Sequence, residues 1–308
     1  LNAVTRARLR QQVGYVLSNF SSVNKFELTY NGSVVSEDAP TGFQEAPMSP
    51  EISKRVVGLE DGKLVIREDY LSQQPETTGT ESVTDASDPA INYDGTALAC
   101  LGDTGRSLYF FSGGKGQYLV KNKKMTAPSF DSFGWLWVAE SDGAVRAYNA
   151  ASTNEKERSK GIEIPVSWRS GMTFSSLRVS HDGARVVVVG TRDGTAAVVM
   201  SGVVRDSSGT PKGFTEPVRV TSSITPRTAV WAGEQNLVVV NDKTGESEVT
   251  TLSGEETKFD RLDGVKSVSA AGNTSNMLAH RSDGSCYVLE ERGWNRLNTS
   301  TREMSFAG

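Results

Sequence analysis

The sequence predicts an all-β fold of the β-propeller class, because a strand–turn–strand unit recurs five times with no helix between the copies. The copies are Ile91-Asn92-Tyr93-Asp94-Gly95, Ser129-Phe130-Asp131-Ser132-Phe133-Gly134, Leu177-Arg178-Val179-Ser180-His181-Asp182-Gly183, Ala229-Val230-Trp231-Ala232-Gly233 and Val268-Ser269-Ala270-Ala271-Gly272. Anchored on Asp94, Asp131, Asp182, Gly233 and Gly272, they are spaced 37, 51, 51 and 39 residues apart. A second glycine turn follows in each copy, at Gly105, Gly143, Gly194, Gly245 and Gly284, stepping 38, 51, 51 and 39. The two series march together, so both turns belong to one unit of roughly 40–50 residues, the length of a four-stranded blade. Gly62 precedes Gly105 by 43 residues and adds a sixth, abbreviated copy. Six blades are expected, closed by the strand after Trp294 or by the tail from Glu303 to Ala307; five blades with an external hairpin are the alternative.

Taken in order, residues 2–20 predict one helix, since Leu9, Val13, Val16, Leu17 and Phe20 recur on one face and Arg6, Arg8 and Arg10 fill the other. Lys25-Phe26-Glu27-Leu28-Thr29-Tyr30 alternates like a half-buried strand and ends at an Asn31-Gly32 turn. One helix and one strand cannot bury that stripe alone. Residues 1–34 therefore read as the end of an incomplete α/β domain, or as an element docked on the propeller. Pro40, Pro47 and Pro50 mark 35–51 as a linker, which leaves 52–308 for the propeller.

Within the propeller, Arg55 to Leu59 and Lys63 to Arg67 flank the Glu60-Asp61-Gly62 turn, and the polar stretch from Ser72 to Asp88 is expected to be mobile. The third full copy shows four strands, Phe174 to Val179, Ala184 to Gly190, Ala196 to Val204 and Gly213 to Val220. Its Asp182-Gly183 and Asp193-Gly194 pairs supply the turn chemistry. Val186 to Val189 is an unbroken apolar run, as a strand covered on both faces requires. Leu108 to Phe111 and Val145 to Tyr148 fall further out in their blades. The charged insertion Ala150 to Lys160 is expected as an exposed loop, and it and Asp206 to Lys212 account for the two long steps.

The 33 basic and 37 acidic residues are interspersed and give a net charge of -4, so there is no basic stripe to neutralise phosphates and nucleic acid is not an expected partner. Cys100 and Cys286 lie in different repeats and read as buried free thiols, although their pairing cannot be decided from sequence. No apolar run approaches the roughly 20 residues of a membrane-spanning helix. The chain opens on Leu1, without a signal-like segment, and reads as a trimmed piece of a longer protein.

Groups that could do chemistry are few. His181 occupies a turn position held elsewhere by Tyr93, Phe130, Ala232 and Ala271, and His280 lies on a strand beside Arg281; both read as position-filling side chains. Asp94, Asp131 and Asp182 share one turn position and could form a carboxylate ring at a propeller mouth. Turn capping explains them as well, and Gly233 and Gly272 replace them in two copies. There is no Gly-x-Ser-x-Gly elbow. Gly113-Gly114-Lys115-Gly116 lacks the following helix and hydroxyl of a phosphate loop and reads as a hairpin. Trp135 and Trp137 share a strand face, suited either to ligand stacking or to packing between blades. Asn19, Asn31, Asn273 and Asn298 start glycosylation sequons that matter only in a eukaryotic secretory host. No catalytic, cofactor or metal residue is assigned.

Leu1 to Leu17 with Phe26 to Gly32, and Pro128 to Ala139 (containing Gly-Trp-Leu-Trp-Val-Ala), Leu177 to Val189 and Ala229 to Val240, resemble the actinobacterial LpqB lipoprotein family in both parts and in their order. The resemblance implies the end of a GerMN-type domain followed by a propeller, and a protein held by an N-terminal lipid on the extracytoplasmic face of the cell membrane. It further implies binding and modulation of the sensor kinase of the MtrA–MtrB two-component system, through its extracellular domain, and support of the cell envelope. The signal peptide, the lipid-bearing Cys and most of the GerMN domain are not in this sequence.

Two function classes therefore stand against the regulatory module: a propeller glycan hydrolase or lyase using Asp94, Asp131 and Asp182, and a sensor of wall-derived ligands. Convergence of two of those carboxylates within about 10 Å would favour the hydrolase.

Overall fold

The computed structural model describes residues 2–18, 22–35, 40–41, 53–72, 74–78, 81–121, 123–220, 222–291 and 293–308. The chain divides into two compact units, Leu1–Glu51 and Ile52–Gly308.

In the first unit, helix α1 spans Ala3–Ser18 and is capped by Asn2, whose Oδ1 accepts from the Thr5 amide at 2.8 Å. The apolar face is imperfect. Leu9 is exposed, while Arg10 on the opposite face lies over the Phe26 ring at 4.9 Å. The predicted strand is shorter than its alternation suggested. Only Thr29–Tyr30 pairs, with Ser33–Val34, across an Asn31-Gly32 turn in which both residues have positive φ. Phe20, Asn19 and most of the 35–51 linker lie outside the described residues.

The second unit is a six-bladed propeller. Blade II runs outward through Ser87–Ile91, Ala97–Gly102, Ser107–Ser112 and Lys115–Val120, and blade III through Ser129–Phe130, Trp135–Ala139, Val145–Asn149 and Ile162–Ile164. Blade IV comprises Thr173–Val179, Arg185–Arg192, Thr195–Arg205 and a divided outer strand, Pro211–Phe214 and Val218–Arg219. Pro217, which has no amide hydrogen to donate, falls at that division, so the single fourth strand expected from sequence is split. Blade V contains Pro226–Trp231, Asn236–Asn241, Ser247–Thr251 and Glu256–Lys258. Blade VI contains Val265–Ala270, Met277–Arg281, Cys286–Glu290 and Gly293–Arg296.

Blade I is made from both ends of the unit. Arg302–Phe306 is its innermost strand and pairs with Val56–Glu60, followed by Lys63–Arg67 and Glu76–Thr77. The sixth copy is thus completed by the tail, and the five-blade alternative is excluded. The innermost strands touch one another in cyclic order from blade I through blade VI and back to blade I.

The packing follows directly. Six apolar clusters lie one between each pair of neighbouring blades. Strand alternation divides the Val186 to Val189 run between two of them: Val186 and Val188 face blade III, Val187 and Val189 face blade V, and all four are fully buried. Each such valine contributes about 1.5–3 kcal/mol of burial, so both faces of a central strand hold the ring together. Cys100 and Cys286 belong to different clusters and are free, buried thiols. Burial pushes them up to about 12 and about 11 respectively, which leaves both in the unreactive thiol form at neutral pH.

Two segments expected as a mobile stretch and an exposed loop carry regular structure among the described residues. Ser72 to Asp88 contains an outer strand, buried Val83 and the start of an inner strand. The 150–160 insertion ends in helix α2, Glu155–Lys160, with Asn154 capping the amides of Lys156 and Glu157. Most of the insertion is exposed, as expected, but its Arg158 is buried, stacked 4.7 Å over Phe110 and donating to Gln117 Oε1 at 2.8 Å, so the insertion also straps blade III to blade II. Its short, charged sequence has no apolar stripe, and the burial comes from a guanidinium on an aromatic face.

Candidate functional site

The innermost strands line an axial channel, and five of the six carry a register slip near their start, at Ser87/Ala90, Phe174/Ser176, Pro226/Thr228, Val265/Ser267 and Arg302/Ser305. Such bulges turn a side chain out of the alternating pattern. Asp88 of blade II, Lys266 of blade VI and Glu303 of blade I are the charged residues in three of them. Asp88 and Glu303 adopt left-handed backbone, with φ of 51° and 52°. For non-glycine residues this conformation is uncommon and costs of order 1 kcal/mol each.

The three converge. Lys266 Nζ lies 3.3 Å from Asp88 Oδ2 and 3.6 Å from Glu303 Oε2, Ser87 Oγ donates to Asp88 Oδ2 at 3.0 Å, and Glu303 Oε2 accepts from the Asp88 amide at 2.8 Å. His280, opposite Ser267 on the next strand of blade VI, brings a ring nitrogen within 4.8 Å of an oxygen from each carboxylate. Burial holds the imidazole below the ordinary histidine range, against the pull of Glu303 and Asp88. Burial alone would raise Asp88, but the charge of Lys266 brings its carboxyl below the usual range, with smaller help from His280, Ser87 and Arg178. Arg178 crosses nearby on blade IV and donates to the carbonyls of Ala127 at 2.8 Å and Pro128 at 3.2 Å.

Asp88, Arg178, His181, Trp231, His280 and Glu303 are among the residues around a channel cavity of about 70 Å³. A water needs about 10–15 Å³ of such space, so the cavity has room for several waters or a small ion. Gly233 forms part of the wall. It has φ +89°, and a Cβ there would sit 2.6 Å from the Gly272 carbonyl oxygen of the adjacent blade, so glycine is required sterically.

The three turn aspartates are engaged where they stand. Asp94 accepts from the Thr96 amide at 2.9 Å, and Asp182 accepts from Ala184 at 3.0 Å and pairs with Arg185 at 3.3 Å. Asp131 is buried, receives the Phe133 and Trp135 amides, the Trp137 indole at 2.7 Å and the Arg205 guanidinium at 2.6 Å. Asp131 and Asp182 both raise the Tyr93 phenol, after burial, and each has its own arginine. Trp137 stacks on Phe214 at 6.0 Å, and Trp135 joins the same cluster, so the pair packs blade III on blade IV. Gly113-Gly114 turns the hairpin between Ser107–Ser112 and Lys115–Val120, as expected.

His181 packs edge-on against Tyr93 at 4.3 Å. His280, read from sequence as position-filling, is buried on its strand and also borders the axial cluster. Asp88, Lys266 and Glu303 form no motif because each comes from a different blade. The one available signal was Pro89, which within a strand marks a bulge or an edge.

Residues 62–304 match the family described as the lipoprotein LpqB β-propeller domain. The chain belongs to this family. Lipoprotein LpqB of Streptomyces avermitilis is 27% identical over 171 residues, covering 51% of this chain and 27% of that protein. The match thus spans about a quarter of the relative's length. Among solved structures, TolB from Acinetobacter baumannii has a TM-score of 0.59 at 16% identity, over 83% of this chain and 67% of that one. A chain of a nidogen/laminin complex gives 0.53 at 10% identity, over 82% and 98%. At these identities the likeness of TolB and nidogen/laminin to this chain is one of fold.

Proposed function

We propose that this chain is the propeller of a non-catalytic lipoprotein, anchored at the extracytoplasmic face of the cell membrane by an N-terminal lipid. In this reading residues 1–34 are the end of a GerMN-type domain, 35–51 a linker and 52–308 the binding module. Its partner is the extracellular domain of the sensor kinase of the MtrA–MtrB system, whose signalling it modulates in support of envelope homeostasis.

The observation that supports this reading most is the match of residues 62–304 to the LpqB propeller family. The chemistry agrees with it: Asp94, Asp131 and Asp182 are committed to turn amides, and two of them to arginines. A glycosidase needs a cleft that holds a sugar between two available carboxyl groups.

The test is direct binding of the purified kinase ectodomain to residues 52–308 and to the whole chain on a sensor surface. Saturable one-to-one binding supports the proposal, and absence of binding to the whole chain refutes the partner. Incubation with purified cell-wall glycan, followed by product chromatography, is expected to leave the substrate intact. Release of shorter fragments would replace this reading with the hydrolase or lyase.

A further inference from the structure

We propose that Asp88, His280 and Glu303 form a binding site for a divalent transition-metal ion of the zinc class, and that Lys266 is an internal cation competing for it. The donors are two carboxylate oxygens and one imidazole nitrogen, all within 4.8 Å of one another. That mixture suits zinc, cobalt or nickel, whereas calcium and magnesium prefer an all-oxygen shell.

The second observation is the state of His280. The residue is 5% exposed, and its Nε2 is buried with no hydrogen-bond partner among the described residues. The Lys266 ammonium satisfies both carboxylates but leaves Nε2 of the imidazole without a side-chain or backbone partner among the described residues. A metal ion would satisfy all three groups together. Ligand atoms around a tetrahedral zinc stand about 3.3 Å apart, so the donors must close by at most about 1.5 Å, a movement within reach of side-chain rotation. Lys266 keeps 28% of its side chain exposed and can swing its flexible stem toward the channel as they close. The cavity of about 70 Å³ leaves room for one or two waters to complete the coordination. Arg178 is the charge opposing the ion, and its guanidinium is held away by the Ala127 and Pro128 carbonyls.

The ligands come from blades II, VI and I, so bound metal would tie the closing strand to both of its neighbours. The ion would therefore stabilise the ring at its seam, by linkage between binding and folding.

Cobalt(II) titration of the whole chain, followed by visible absorption and by thermal unfolding, tests this. Wild type should bind one ion and melt at a higher temperature with it. Removing an outer-shell partner costs 10–100-fold, so His280→Gln should weaken binding by at least about tenfold. Lys266→Met should tighten it. Lys266→Met keeps the test decisive should His280→Gln fail to fold, because it predicts a gain. No absorption in either wild type or Lys266→Met, or unchanged binding in a folded His280→Gln, overturns the proposal.

Discussion

The blade III–IV interface and the seam of blade I use the same device, a carboxylate at a turn gripping a buried arginine, but they close chain loops of very different length. At III–IV, Asp131 holds Arg205 at 2.6 Å, 74 residues away. At the seam, Glu60 holds Arg67 at 3.0 Å and accepts from Ser300 Oγ at 3.1 Å and from Thr301, so that the hub joins residues about 240 positions apart. Arg67 also donates to Thr301 Oγ1 at 2.7 Å. Loop closure becomes more costly with length, though slowly, so the seam is the join whose ordering gains least from local structure. Strength should therefore lie in the interior interface, and sensitivity to conditions at the seam.

The largest effect tests the strong side. Asp131→Ala leaves the Arg205 guanidinium with only the Gly183 and Gly209 carbonyls and no counter-charge, leaves the Trp137 indole without its acceptor and removes the cap on two amides. Breaking a buried pair in this way costs about 3–5 kcal/mol, read as a lower urea midpoint. A loss below about 1 kcal/mol would mean that the III–IV pin is no stronger than a surface pair.

Gly58→Val probes the seam by crowding. A Cβ at Gly58 would stand 2.2 Å from Thr301 Cγ2 and 3.1 Å from the Arg302 carbonyl oxygen, so the closing strand must shift. Overpacking of this kind costs about 1–3 kcal/mol. The variant should also expose the 302–306 strand to proteolysis before the rest of the ring, and simultaneous cleavage throughout would remove the distinction between seam and interior.

Acid sharpens the comparison further. Burial alone raises Glu60, but hydrogen bonds from Thr301, Ser300 and Arg67 outweigh it and hold its carboxyl below the ordinary glutamate value of about 4.3. A lowered folded pKa means that stability is fully present above the unfolded value and is lost as pH falls through the folded one. Glu60→Gln should therefore lower the melting temperature at neutral pH and flatten its decline below about pH 4.3. Parallel melting curves for variant and wild type across that range would show that the seam carboxylate contributes nothing to acid unfolding.

This contrast also explains what could be read from the chain. The glycine turns and the Val186 to Val189 run write blades II to VI locally, since turn chemistry and double-sided burial act within a few residues. The blade count followed from the Gly62 step, but which tail segment closes the ring depended on contacts over most of the chain. The axial cluster was less legible still: Asp88, Lys266 and Glu303 stand at bulges on three strands, where the alternation that reveals strands breaks down. His280 sits on a regular strand and looks like filling until its neighbours from other blades are known.

The smallest effect separates the two joins by rate rather than by size. Neighbouring innermost strands are linked by hydroxyls: Ser129 Oγ accepts from the Val179 amide at 3.1 Å between blades III and IV, and Ser269 Oγ accepts from the Phe306 amide at 2.9 Å at the seam. Removing either hydroxyl leaves one inner-strand amide unpaired and costs about 1 kcal/mol. The Val179 bond joins blades whose strands are consecutive in the chain and can form early, whereas the Phe306 bond waits for ring closure. Contacts absent from the folding transition state appear in the unfolding rate. Ser269→Ala should therefore speed unfolding and leave refolding almost unchanged, while Ser129→Ala slows refolding by up to about fivefold. Stopped-flow chevrons decide it: if Ser269→Ala slows refolding as much as Ser129→Ala does, the ring does not close last at blade I.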